Sequence, residues 1–385
     1  MTETKTLTRP SATLSQRERG FGDFAMLLRR STVFVLGVVL ASASARADQR
    51  RSLLALEWQG TRLEATELGR TTTALQLLGR DGRLWNVPTG DARSARTLPQ
   101  AFHGYSASEL REQLTRELGK SFEITGTGHY LVAHPAGQKD AWSKRFEDLY
   151  RHFIHYFSVR GFKPREPEFP LVAIVWRNQQ DFLRYAQSDG AKISTNVLGY
   201  YSQISNRITL FDIGAGSGSS QAWQQNADTI IHEATHQTAY NTGVHRRFAG
   251  NPRWVSEGLG TMFEAPGVWK AEDNRRPEDR INRGRLDQFR HLLPQRKAGL
   301  IAEMISSDRL FETDVNMAYC NAWALSFFLV ETQQRNYAEY LRKTAARPAF
   351  RNYSAGDRLA DFTSVFGTNL GLLETHFLRY MSELK

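Results

Sequence analysis

An α+β chain is expected from this sequence, with a β-rich segment first, a small mixed sheet next and a long helical half last. Three observations predict it. Residues 51–98 alternate apolar and polar side chains, the period of a half-buried strand. From about Phe122 to Asp212, strand-like apolar runs are interleaved with helix-like ones. After residue 226, apolar positions recur at helical spacing almost to Lys385. Hydrophobic residues make up 41% of the 385 positions, enough to bury a core without disulfides.

The first residues read as an address. "MLLRRSTVFVLGVVLASASARADQ" begins at Met26. Arg29 and Arg30 precede an apolar, small-residue run from Ser31 to Ser44, and Ala45-Arg46-Ala47 forms a small-x-small cleavage site before Asp48. Residues 1–47 are therefore expected to be an export signal, with translation starting at Met26. The run is too short to span a bilayer comfortably. A periplasmic or secreted protein with no membrane span after processing follows. Of the formal net charge of +10, residues 1–47 carry +4, and the basic residues of the remainder are scattered. With no helix-turn-helix, finger or aromatic RNA-binding signature, a nucleic-acid partner is not expected. The single cysteine, Cys320, excludes an intramolecular disulfide and sits in an apolar helical pattern, as a buried structural thiol would.

Residues 48–100 form the first unit. "LLALEWQGTRLEATELG" and "ALQLLGRDGRLWNVPTGD" alternate, and Asp81-Gly82 between apolar runs signals a hairpin. This small β-domain resembles SH3-like barrels. Residues 101–121 are a linker helix: "YSASELREQLTRELG" has Ser106 or Ser108 as its N-cap and Gly119 as its stop. Residues 122–385 form the third unit. "FEITGTGHYLVAHP" reads as strand, "AWSKRFEDLYRHFIHYF" as helix, "PLVAIVWRN" as a buried strand and "QQDFLRYAQ" as helix. "LGYYSQISNRITLFD" reads as two strands around a Ser-Asn turn, and "IGAGSGSSQ" as a flexible Gly/Ser-rich connection. The later "MAYCNAWALSFFLVETQ" and "GLLETHFLRYMSEL" carry apolar stripes expected to be core.

The chemistry concentrates in "TIIHEATHQTAYN", starting at Thr229. Asn226 or Asp228 can cap a helix from about Asp228 to Tyr240. His232 and His236, four apart, then share one face, where two imidazoles can reach one tetrahedral ion. Glu233 falls beside the metal, where it can take a proton from an attacking water. Imidazole ligands and hydrolysis without redox chemistry favour a single zinc ion. A catalytic site needs a third protein ligand and one open position. Position 242 is Thr, so no third histidine follows at six-residue spacing. In "NPRWVSEGLGTMFE", Asn251 and Pro252 mark a second helix start, cap then Pro at the first position, and Glu257 falls early on that helix. Its flanks, Trp254 and Gly258-Leu259, suit a packed site. Glu257 is the expected third ligand, with His245 as the alternative.

"IIHEATHQ", "PRWVSEGLGTMFE", "LGYYSQISNRITLFD" and "AYCNAWALSFFLVE" together resemble a peptidase-MA-like domain of unknown function found in bacterial exported proteins, which is similar to the gluzincin group of zinc metallopeptidases. The resemblance covers about Phe122 to Lys385. It implies a gluzincin-like catalytic domain, a ligand set of two His and one Glu, and a peptide or protein substrate bound by strand addition to an edge strand, for which Arg207–Asp212 is the candidate. A donor for the developing oxyanion is also implied; Tyr200, Tyr201 and His245 are the candidates. Asp228 or Glu264 could orient a ligand from behind. A second reading is an envelope-associated binding module whose metal site is structural or vestigial, with the N-terminal β-domain doing the recognition.

Overall fold

The structure, a computed structural model, describes residues 51–137, 142–213, 220–269 and 276–385. The export signal at residues 1–47 and its start at Met26 lie outside the described residues, as does most of the Gly/Ser stretch after Asp212. No helix among the described residues is long and apolar enough to cross a membrane.

Alternation in the first segment builds β1 (Ser52–Trp58), β2 (Thr61–Arg70), β3 (Ala74–Gly79), β4 (Leu84–Pro88) and β5 (Arg96–Ala101). They form one antiparallel sheet in the order β4-β3-β2-β1-β5. Between β3 and β4, Gly82 takes φ +81, the left-handed conformation a tight hairpin needs and glycine adopts freely. One face of the sheet packs Leu56, Leu63, Leu77 and Val87 into a small core of its own. Helix α1 (Ala107–Leu118) opens with a capping box: Ser106 accepts from the Glu109 amide, and Glu109 accepts from the Ser106 amide.

The second sheet holds β6 (Phe122–Gly126), β7 (Tyr130–Pro135), β8 (Leu171–Trp176), β9 (Gly199–Ser202) and β10 (Arg207–Phe211), with α2 (Ser143–Ser158) and α3 (Gln179–Ser188) between them. "FEITGTGHYLVAHP" is thus a hairpin of two strands rather than one strand. The order is β6-β7-β8-β10-β9, with β8 parallel to both of its neighbours. Strand β8 reads as a continuous apolar run because both faces are covered. Leu171, Ala173 and Val175 face the main core, while Val172 and Ile174 face α1. Strand β10, the expected edge, is interior. It pairs with β8 on one side and β9 on the other, so β9 is the edge. The hairpin connection leaves β9 no place except outside β10.

The helical half begins with α4 (Ser220–Thr242), then α5 (Arg253–Phe263) and α6 (Pro266–Trp269). Helix α4 starts earlier than the expected cap, so Asp228 lies well inside it. Helix α5 has Pro252, not Asn251, at the cap. Asn251 instead ties its loop to the Arg246 carbonyl at 2.7 Å, and the first helical amide, Arg253 N–H, donates to Asp308 at 2.9 Å. Then follow α7 (Arg283–Leu292), α8 (Leu300–Ser306), α9 (Leu310–Thr313), α10 (Val315–Thr332), α11 (Gln334–Ala345), α12 (Ala355–Phe366) and α13 (Leu370–Glu383). Helix α10 is buried from Met317 to Val330, Cys320 included, and runs through the largest core.

Candidate metal centre

Helix α5 lies between α4 and α10, and two glycines allow it. A Cβ at Gly258 would stand 2.5 Å from the Ala322 carbonyl oxygen of α10, and one at Gly260 would stand 2.8 Å from Cε1 of His232. The absent side chains let α5 press against both neighbours. Glu257, on the same helix, is thereby carried to the two histidines of α4.

One donor atom from each of His232, His236 and Glu257 falls in a cluster spanning no more than 4.8 Å. His232 Nε2 and His236 Nε2 are 3.0 Å apart, and Glu257 Oε2 is 3.4 Å from the first and 3.5 Å from the second. Ligands about 2.0–2.1 Å from one tetrahedral ion stand about 3.3 Å from each other. The donor set and its spacing therefore fit a single zinc ion. Both imidazoles are buried and cross nearly edge to face, at 79°. His245, the alternative third ligand, is outside this cluster.

The surroundings favour positive charge. Burial pushes the His232 imidazole down, but hydrogen bonds to Glu257 and Glu264 outweigh burial and raise it to about 10. Burial opposes ionisation of Glu257, yet the facing histidines hold its carboxyl well below the usual range. Glu264 accepts from His232 Nδ1 at 2.8 Å, which turns the ring so that Nε2 faces the cluster. Asn282 in turn donates to Glu264 at 3.0 Å and to the Thr261 carbonyl at 2.9 Å, while its own oxygen caps α7. Asp228, the other carboxylate considered, is half-buried on α4 one turn before His232.

Glu233 points from α4 toward the edge strand, where its Oε2 accepts the Tyr201 N–H at 2.8 Å. Below it on the same stripe, Gln237 donates to the Val172 and Asn206 carbonyls at 3.0 and 2.8 Å. Asn241 exchanges hydrogen bonds with the Asn206 side chain at 2.8 and 3.0 Å. One face of α4 thus carries the histidines, and an adjacent stripe fastens the helix to the sheet.

The three oxyanion candidates separate. Strand alternation sends Tyr200 to the far face of the sheet, against Phe182 and Phe211. Tyr201 lies on the near face, but its hydroxyl donates to Asn206 at 2.8 Å. The structure therefore aims neither phenol at the histidines. His245 is buried beside Tyr240 with neither ring nitrogen partnered among the described residues. Burial, then the nearby His236, push it down to about 3. Sequence reasoning missed Asn282 and Gly260; Gly260 lies three residues after Glu257 on the same helix, whereas Asn282 is close only in space.

Residues 226–351 match a family described as a protein of unknown function, DUF1570. No curated protein sequence matches the chain. Among solved structures, the chain is similar to an M1 zinc metallopeptidase from Deinococcus radiodurans. That match has a TM-score of 0.37 and 15% identity, and covers 67% of this chain and 50% of that one. Two structures of a point mutant of that enzyme are also similar. One has a TM-score of 0.38, 15% identity, and coverage of 68% and 51%. The other, bound to a Tyr-Ser-Ala substrate, has 0.36, 16%, and coverage of 67% and 50%. The chain spans about half the length of these solved chains.

Proposed function

We propose that the chain is an exported, zinc-dependent metallopeptidase, gluzincin-like in its residues 122–385, acting on a peptide or protein in the periplasm or outside the cell. The observation that carries this reading is the mutual spacing of His232, His236 and Glu257, at 3.0, 3.4 and 3.5 Å. These three residues would hold the ion, and with only three protein ligands one position stays open. A zinc ion held there supplies a Lewis acid that polarises the scissile carbonyl and makes water a nucleophile near neutral pH.

The chain's own residues do the rest. Glu233, steadied by the Tyr201 amide, takes the proton of the attacking water and returns it to the leaving amine. Glu264 and Asn282 keep the His232 ring turned toward the ion. His245 is the remaining candidate donor to the developing oxyanion. The β1–β5 sheet, read as an SH3-like module, stands before α1 as the linker helix.

The test is Glu233→Gln. The variant is expected to bind one zinc as tightly as the parent and to hydrolyse a peptide library at a rate lower by several orders of magnitude. Equal hydrolysis by the variant would remove Glu233 from the chemistry.

A further inference from the structure

Three separate parts of the chain converge on the turn joining β9 to β10. From the N-terminal sheet, the β3–β4 turn meets it tip to tip: Leu84 N–H donates to the Ile204 carbonyl at 2.8 Å. A Cβ at Gly82 would stand 3.1 Å from the Phe169 ring and 3.2 Å from Asn206 Nδ2, so the approach needs a glycine both for contact and for its φ of +81. Beside the turn, Asp189 accepts from Arg83 at 2.9 Å and from Ser205 of the β9–β10 turn at 3.0 Å.

The third part is the loop after α4. Arg247 donates to the Gly82 carbonyl at 2.8 Å and to the Gln203 carbonyl at 2.6 Å through one nitrogen, and again to Gln203 at 3.2 Å through Nε. That shared nitrogen ties one turn to the other. Among the described residues no carboxylate pairs with Arg247. Two main-chain carbonyls are its polar partners, as expected of a group that sets geometry rather than balances charge.

The clamped turn leads directly to Glu233. Asn206, at φ +60, closes the turn and accepts from the Tyr201 hydroxyl and from Asn241 of α4, both at 2.8 Å. The amide of the same Tyr201 holds Glu233. We propose that the β3–β4 turn and Arg247 form a clamp on the β9–β10 turn that positions the Tyr201 amide, and so makes the N-terminal sheet a working part of the catalytic unit. Arg247 and Gly82 are positioning residues. The proposal rests on Glu233 being the base.

Arg247→Met, Arg247→Lys and Gly82→Ala would be compared with Arg62→Ala, a surface change on the same sheet. Hydrogen–deuterium exchange is followed in peptides covering residues 199–211 and 315–332, and hydrolysis of a peptide library is measured with zinc present. Exchange at 199–211 is expected to rise at least about tenfold in Arg247→Met and Gly82→Ala and by less in Arg247→Lys, with 315–332 unchanged. Losing alignment of a charged hydrogen bond should lower kcat roughly tenfold to a hundredfold with KM held within about twofold. Arg247→Lys should recover part of the effect, because one Arg247 nitrogen meets both carbonyls and an ammonium carries three donors, whereas Arg247→Met should recover none. Unchanged exchange at 199–211, a rise shared equally by 315–332, or a loosened turn with kcat intact would overturn the clamp. Parent protein that binds zinc yet cleaves nothing would sink the hydrolase reading, while the exchange pattern still decides whether the turn is clamped.

Discussion

Helices α4 and α10 flank α5, and α4 from Thr229 onward and α10 from Met317 to Val330 are buried on nearly every side, yet they are built from opposite materials. Between Met317 and Val330, α10 buries mostly apolar side chains, among them Trp323, Leu325 and Phe327. Helix α4 buries Thr229, His232, Glu233, Thr235, His236, Gln237, Thr238 and Thr242. Burying a polar group costs stability unless it is bonded. On α4 two threonine hydroxyls bond the carbonyl one turn back: Thr235 to Ile231 and Thr242 to Thr238, each at 2.7 Å. Gln237 and Asn241 bond the sheet, and the histidines bond carboxylates. The contrast is a division of labour: α10 supplies apolar burial, α4 supplies the bonded polar groups and the candidate ligands, and α5 joins them through one glycine facing each.

The largest expected effect tests the α10 side. Trp323 is fully buried and stacks on Phe327 at 5.6 Å. Trp323→Ala should cost about 3–5 kcal/mol by lost burial and a residual cavity, read as a lower denaturation midpoint.

The two glycines sharpen the contrast. Gly258→Ala drives a Cβ into the backbone of α10 and should cost about 1–3 kcal/mol of stability. Gly260→Ala pushes instead on the His232 ring, and should weaken zinc binding more than it lowers the unfolding temperature. Calorimetry and zinc titration on the same two variants would separate the effects. If both lost stability alike and kept zinc alike, the division of labour would fail.

Smaller still is Glu264→Gln. It keeps the shape but removes the carboxylate that bonds His232 Nδ1, and zinc affinity should fall about 10- to 100-fold. Least of all is the response of Cys320. Burial pushes its thiol up to about 12, so native protein should resist a thiol reagent at pH 8 and react only on unfolding.

Much of this was legible because local chemistry announces itself. Asp81-Gly82 marked the β3–β4 turn, Ser106 and Gly119 bracketed α1, and the periodicity around Met317 to Val330 marked α10 as core. Strand order was not legible: the parallel pairing of β8 with β10 skips α3 and β9, and nothing local encodes it. Sequence order alone therefore puts β10 at the edge, where the pairing puts β9. Asp228 is a good cap in isolation, yet α4 begins before it, at Ser220. Adjacent tyrosines at 200 and 201 must face opposite ways, but only the sheet decides which one meets α4. At the site, spacing along one helix suggested His232, Glu233 and His236, whereas Asn282 and the Tyr201 amide arrive from distant segments.

The central claim is that His232, His236 and Glu257 enclose one ion. The most direct measurement is anomalous scattering at the zinc edge from crystals of the zinc-loaded protein. The account predicts a single peak about 2.0–2.2 Å from His232 Nε2, His236 Nε2 and a Glu257 oxygen, with no fourth protein ligand. A peak elsewhere, a fourth side chain closing the shell, or Glu257 turned away from the ion would contradict it.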